Sequence, residues 1–202
     1  GLSADDLQPI SDFVAREAHQ HGVPIDAPIG IKLYPALAEP PPQLTADAGL
    51  LTRVLWSLRL RHYRAQAVDS IARARPKIAL FLLYHDPAHT PRLPHSLGLQ
   101  RGLMGVVQLF AARSQSAQNA IVTAHELLHT FGATDKYAPD SDAPLYPQGF
   151  AEPERVPRYP QRFAEIMAGR VPLAPDRQEM PDDLSQVRVG AATAGEIGWS
   201  RP

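Results

Sequence analysis

At 202 residues the chain is long enough to bury a real core, as one domain or as one domain split by a cleft. A net charge of -1 argues against nucleic acid or an anionic membrane as the main partner, and no apolar run approaches the length that spans a bilayer. The absence of cysteine excludes disulfides, thiolate metal ligands and a cysteine nucleophile. Composition leaves the compartment open. Because the chain begins at Gly1 without an initiator Met, the expectation leans to an exported protein, periplasmic or secreted, whose signal or anchor lies outside this sequence. A monomer is expected.

In chain order, Ala4 to His21 reads as an amphipathic helix ending near Gly22, with Leu7, Ile10, Phe13 and Val14 facing the domain. His19 and His21 near its end read as surface residues that compensate the helix dipole. Ile29 to Tyr34, bounded by prolines, predicts a first strand, and Glu39-Pro40-Pro41-Pro42 a rigid connector. From Thr45, taken as N-cap, a helix is expected with Leu51, Val54, Leu55 and Leu58 on its packed face. Trp56 to Arg61 also alternates with period two, so a strand competes there. Arg53, Arg59, Arg61 and Arg64 read as a solvated helix face rather than a basic binding stripe.

Ile78 to Tyr84 is a near-continuous apolar run of the kind found in buried central strands, and Val106 to Phe110 reads likewise. Between them a proline-rich loop carries His85, His89 and His95, whose spacing matches no standard metal motif and whose role the sequence leaves open. Ser96, Leu97, Gly98, Leu99 and Gln100 alternate as a short edge strand would.

The chemistry is concentrated in Ser116 to Tyr137. His125-Glu126-Leu127-Leu128-His129 is an H-E-x-x-H run, which arises by chance in about one sequence of this length and composition in a hundred. Ser116 is a fitting N-cap. Ala120, Ile121, Ala124, Leu128 and Phe131 give an apolar stripe at helical spacing, so the two histidines share one face of a partly buried helix. Two imidazoles so placed can grip one zinc ion, and a catalytic zinc takes three protein ligands. Gly132 sits where a left-handed turn would reverse the chain, bringing Asp135 round as the third ligand. The competing reading is two core histidines beside a glycine turn. Beyond it, Ala138 to Pro160 is a proline-rich loop expected to wall a cleft, and Ala191 to Ile197 a short last helix closed by Gly198 and anchored by Trp199.

The run His125-Glu126-x-x-His129-x-x-Gly132-x-x-Asp135-x-Tyr137 resembles the extended zinc signature of the metzincin metalloproteases, in the variant with aspartate as third ligand, and is most similar to the snapalysin-like proteases. Ile166-Met167-Ala168-Gly169 resembles their Met-turn, which would put Met167 beneath the metal as a hydrophobic floor. The resemblance implies an α+β zincin fold: a twisted mixed sheet of four to five strands packed on the active-site helix. It also implies one catalytic domain over 1–202, with a sheet-and-helix part at 1–132 and a loop-rich part at 133–202 that ends in a helix. It implies that the 96–100 edge strand holds an extended peptide substrate. Many relatives place a tyrosine two residues after the methionine; that position is Gly169 here, which leaves Tyr137, Tyr146 and Tyr159 as candidates for oxyanion or substrate contact.

The expected activity is zinc-dependent endopeptidase cleavage, with one catalytic zinc that lowers the pKa of water to about 7 and Glu126 as general base. Two alternatives stay open. One is a zincin whose third ligand is a downstream glutamate, Glu165 or Glu152; the other is a non-catalytic binding module stabilised by zinc.

Overall fold

The computed structural model describes residues 2–24, 29–44, 48–71, 77–94, 96–99 and 103–200. Two apolar runs set the centre. Strand β1 (Ala79–His85) lies parallel to β3 (Met104–Phe110), with Ala79 opposite Met104 and His85 opposite Phe110. Strand β2 (Leu97–Leu99) pairs antiparallel to the other side of β3, giving the order β1-β3-β2. Among the described residues the sheet therefore has three strands rather than the expected four to five. Ile29 to Tyr34 forms no strand: prolines on either side interrupt its supply of N–H donors, and Ile29 and Leu33 instead lean on the core as irregular coil.

Alternation along β1 divides the interior into two cores. Ile78, Leu80 and Leu82 face a larger core with Ile10, Phe13 and Val14 of helix α1 (Gln8–Gln20) and Ile121, Ala124 and Leu128 of helix α3 (Ser116–Phe131). Phe81 and Leu83 face the opposite way and meet Met104, Val106, Trp56 and Leu60. That second core is closed by helix α2 (Leu50–Ile71), so Trp56 to Arg61 is helical despite its alternation. The packed face of α2 is not the expected one. Trp56 and Leu60 are buried, whereas Leu51, Val54, Leu55 and Leu58 are 79, 48, 56 and 57 % exposed. The aromatic side prevails because each ring buries more area than a leucine and its polar tip finds a partner. Trp56 Nε1 donates to the Pro42 carbonyl at 2.8 Å and the Tyr63 hydroxyl to the Glu39 carbonyl at 2.5 Å, which fastens the proline connector to the helix. Thr45 lies outside the described residues.

Past α3 the chain is more regular than expected. Strands β4 (Ala164–Glu165) and β7 (Val187–Arg188) pair in parallel, and β5 (Val171–Ala174) with β6 (Arg177–Glu179) makes an antiparallel hairpin. Ala164, Ile166, Met167, Val187, Val189 and Ala194 join α1 and α3 in the larger core. Helix α4 (Ala191–Glu196) ends the described chain ahead of Gly198, whose φ of 78° is left-handed, and Trp199 packs on the same core. His21 is no bystander: its Nε2 meets the Val189 carbonyl at 2.8 Å. Among the described residues no helix is long and apolar enough to cross a membrane.

The start of α3 is held differently from expectation. Ser116 is already helical, at φ -59° and ψ -39°, behind a 3-10 turn over Arg113–Gln115, and no side chain caps the helix. Asn119 does the fastening. Its Oδ1 accepts from the Phe110 N–H at 3.1 Å and its Nδ2 donates to the Phe110 carbonyl at 2.9 Å, locking the helix to the end of β3. Asn119→Ala strips both bonds from a part-buried backbone, so we predict a loss of about 1–3 kcal/mol in stability, read from the urea midpoint, while Ser116→Ala shifts it by much less.

Candidate metal centre

One face of α3 is buried through Ala120, Ile121, Ala124, Leu127 and Leu128, which fixes the helix and leaves His125 and His129 at the rim of the core. Their side chains are only 15 and 18 % exposed. Their ring centroids are 4.7 Å apart with planes at 84°, as two residues one turn apart should be. Gly132 closes the helix with φ 109°, a region closed to most side chains, and the Ala133 N–H reaches back to the Leu128 carbonyl at 3.1 Å. The reversed turn also carries the Ala133 carbonyl to the His129 ring.

Backbone carbonyls settle how both rings are protonated. His129 Nδ1 lies 2.8 Å from the Ala133 carbonyl and His125 Nδ1 3.0 Å from the Ile166 carbonyl. A carbonyl only accepts, so each Nδ1 carries the proton, and in a neutral ring Nε2 presents its lone pair. Both Nε2 atoms point at the same place: each is 3.1 Å from Asp135 Oδ1. Two ring lone pairs against one carboxylate oxygen require positive charge between them, either protons on both rings or one cation shared by all three. Tetrahedral zinc with bonds of about 2.0 Å separates its ligand atoms by about 3.3 Å, so this donor set and its spacing fit zinc.

A carboxylate oxygen of Glu126 also lies within 4.8 Å of a ring nitrogen of each histidine. Asp135 is the better candidate for a third ligand, because its oxygen stands at ligand–ligand distance from both rings. Glu126, buried at 5 % exposure, is left beside the site. Burial on its own raises the Asp135 carboxyl, but the hydrogen bonds to His125 and His129 and their charge outweigh it and hold the group well below the usual carboxylate range. Burial lowers the His125 pKa, and the bond to Asp135 with the Glu126 charge overcomes that and raises it. Of the three candidate tyrosines only Tyr137 reaches this constellation. Burial first, then the charges of Asp135 and Glu126, pushes its phenol up to about 12. Tyr146 and Tyr159 instead pack edge-on against Phe150, with Arg158 over the Tyr146 ring.

The turn at Glu165–Gly169 grips the site from the far side. Its Ile166 carbonyl orients His125, and its Met167 carbonyl accepts from the Lys136 N–H at 2.9 Å, next to Asp135. Met167 itself is fully buried. Glu165 is not a ligand but the staple of this turn. One carboxylate oxygen accepts from the N–H groups of Met167 and Ala168 at 2.6 and 3.1 Å, the other from Gly190 N–H and the Thr193 hydroxyl at 3.1 and 2.6 Å. Burial pushes its carboxyl up, and these donors pull it back. Glu152 is likewise committed, to the Arg162 guanidinium and N–H. The glutamate-ligand alternative thus finds both of its residues spent elsewhere.

A second support was not legible in the sequence. Lys136, 3 % exposed, directs its ammonium to both carboxylate oxygens of Glu196 on α4 at 2.9 and 2.8 Å and to the Thr134 carbonyl at 2.7 Å. Glu196 also takes the Thr134 N–H at 2.8 Å, so the segment carrying Asp135 is pinned on both sides. Residues sixty positions apart leave no spacing signal; only the burial of a lysine gives the pair away. The loop histidines form no second centre among the described residues. His85 Nε2 meets Gln108 Oε1 at 2.6 Å, exposed His89 meets Asp86 Oδ2 at 3.1 Å, and His95 lies outside the described residues. Strand β2 sits at the sheet edge against α3; Ser96 Oγ accepts from the Gln108 N–H at 2.9 Å, and Gln100 lies outside the described residues.

Glu165→Ala would leave three buried donors, the Met167 and Gly190 N–H groups and the Thr193 hydroxyl, without an acceptor, so we predict a loss of about 3 kcal/mol or more in urea unfolding. Glu152→Ala, whose partners reach water, should cost clearly less; the reverse order would remove Glu165 from its place as the staple of the turn.

No protein-family model matches this chain, and neither curated proteins nor solved structures contain a significant match to it.

Proposed function

We propose that the chain is a zinc-dependent endopeptidase of the zincin class, built on the metzincin plan with His125, His129 and Asp135 holding the metal. The observation that carries this reading is the convergence of two Nε2 lone pairs on one Asp135 oxygen at 3.1 Å, with both Nδ1 protons already committed to carbonyls. Zinc held there supplies Lewis acidity towards a carbonyl and a lowered pKa for water. The Asp135 carboxylate adds negative charge to the centre, so its acidity is weaker than that of a site with three imidazoles.

The remaining work belongs to the chain. Glu126 follows the ligand His125 on the helix and is buried beside the site, where it takes a proton from the attacking water and returns it to the leaving amine. The Ile166 and Ala133 carbonyls keep both rings in the tautomer that leaves Nε2 free of a proton. Tyr137 remains a protonated donor at neutral pH and is the tyrosine placed to steady negative charge in the transition state. Beside α3, strand β2 hydrogen-bonds to β3 on one edge only within the described sheet, and an extended peptide adds to the other. The side-on support of Met167 and the turn around it fits the metzincin plan better than a second ligand helix does.

Two measurements test this. Metal analysis of the purified chain should find one zinc per molecule, lost in His125→Ala and His129→Ala, and bound far more weakly in Asp135→Ala than in Glu152→Ala; equal affinity in the last two would remove Asp135 from the ligand set. Glu126→Gln should keep its zinc and its fold and cleave casein on the order of a hundred- to ten-thousand-fold more slowly, since an amide cannot take a proton at neutral pH. Wild-type rates in that variant would dismiss Glu126 as the base, and a wild type that binds zinc yet cleaves nothing in a broad peptide library would favour a binding module.

A further inference from the structure

Asp135 is the most exposed of the three residues assigned to the metal, its side chain 44 % exposed against 15 and 18 % for His125 and His129. Its side chain is short, so the place of its carboxylate is set by where its backbone is held. The residues on either side supply that hold. Thr134 donates its N–H to Glu196 Oε2 and its hydroxyl to Glu196 Oε1, both at 2.8 Å. Lys136 donates its ammonium to Glu196 Oε1 and Oε2 at 2.9 and 2.8 Å, and to the Thr134 carbonyl and hydroxyl at 2.7 and 2.8 Å. The Lys136 N–H goes to the Met167 carbonyl at 2.9 Å, and its carbonyl accepts from the Leu145 N–H at 2.8 Å. One carboxylate on α4 thus brackets Asp135 through both of its neighbours.

This bracket differs from an ordinary surface ion pair, which contributes little because solvent screens it and ordering two long side chains costs entropy. Lys136 is 3 % exposed, and a buried ammonium is stable only with its partners in place. The pair therefore favours one arrangement of the Asp135 segment over its alternatives. The same turn of α4 also reaches the other side of the centre. Thr193, three residues before Glu196, gives its hydroxyl to Glu165 at 2.6 Å, and Glu165 holds the turn whose Ile166 carbonyl orients His125.

We propose that Glu196 is a positioning residue for the metal centre: through Thr134 and Lys136 it holds Asp135 at ligand distance from the two rings, so that docking of α4 and binding of zinc strengthen one another. This rests on His125, His129 and Asp135 being the zinc ligands. A site whose third ligand is in place only part of the time binds with an affinity reduced by that fraction. Groups behind the ligands contribute about ten- to a hundredfold to metal affinity. Linkage makes the effect reciprocal, so α4 docks more firmly in the zinc-bound chain by the same factor by which its docking raises zinc affinity.

The test is titration of the metal-free full chain with zinc against a chromophoric chelator. We expect Glu196→Gln to bind zinc about ten- to a hundredfold more weakly than wild type. That variant leaves the Lys136 ammonium buried beside a neutral amide, so Lys136→Met/Glu196→Gln is measured with it. The double variant carries no unpaired buried charge; it should keep the wild-type circular dichroism and lose about tenfold or more in zinc affinity. Leu60→Ala, in the second core beyond the sheet, is the control for a purely structural lesion: it lowers the urea midpoint and leaves the zinc affinity of the folded chain unchanged. In hydrogen exchange, zinc should slow the Ala194 and Ile197 amides, which bond to the Gly190 and Thr193 carbonyls, more in wild type than in either Glu196 variant. Wild-type zinc affinity in both Glu196 variants, or an equal loss in Leu60→Ala, overturns the proposal and leaves the ligand assignment standing. A wild type that binds no zinc, or binds it as tightly after Asp135→Ala, overturns both.

Discussion

Two N–H···O=C hydrogen bonds, from His125 Nδ1 to Ile166 and from His129 Nδ1 to Ala133, are the constraint around which this half of the molecule is arranged. An H-E-x-x-H helix places two rings one above the other, but it does not say which nitrogen faces the cleft. That choice is made by carbonyls supplied from outside the helix. One comes from the turn that Gly132 makes immediately after α3, the other from a turn forty-one residues on. With the two Nδ1 atoms satisfied, the two Nε2 atoms have a single direction left, and Asp135 stands in it.

The distant carbonyl has to be held as firmly as the near one, and buried carboxylates do this. Glu165 gathers the N–H groups of its own turn and ties them to Gly190 and Thr193 at the head of α4. Glu17 of α1, fully buried, takes the neighbouring Val189 N–H at 2.8 Å. Consecutive backbone donors, at 189 and 190, are therefore claimed by glutamates from opposite sides. The fit is tight at Gly190, where an added Cβ would lie 3.0 Å from Glu165 Cγ and the carboxylate side chain would have to give by a few tenths of an ångström. An unpaired buried carboxylate is costly, so these acids are stable only in the conformation that delivers their donors. That makes the turn's position specific as well as strong. Lys136 and Glu196 apply the same logic to the Asp135 segment, and α4 takes part in both clamps through Thr193 and Glu196.

What could be read in the sequence follows the range of the forces involved. The helix of the motif, the left-handed Gly132, the helical packing of Leu7 to Val14 and the two apolar strands are set within a few residues, and their spacing announces them. The spacing after Gly132 favours Asp135 over Glu165 as ligand, but contacts across the fold, invisible in any local window, are what commit Glu165 elsewhere. Strand pairing is also non-local, which is why Ile29 to Tyr34 has no partner strand among the described residues, and why β4 and β7, in segments of two residues each, leave no signal in the sequence. The packed face of α2 was misjudged for a different reason. Both sides of that helix are apolar, so periodicity alone had no basis for choosing, and two aromatic polar tips with waiting carbonyls decided it.

That ambiguity has a consequence for the whole molecule. A helix whose surplus leucines served no purpose would be a liability, since exposed stripes of this kind promote non-specific association. Here the stripe lies on the outer face of α2, opposite the buried Trp56 and Leu60. The sheet separates the two apolar layers: Phe81 and Leu83 look towards α2, Leu80 and Leu82 towards α1 and α3. A surface that engages α2 from outside therefore meets the layer farthest from His125 and His129. The rim where Asp135, at 44 % exposure, opens the candidate metal centre to solvent therefore lies on the side of the sheet away from α2.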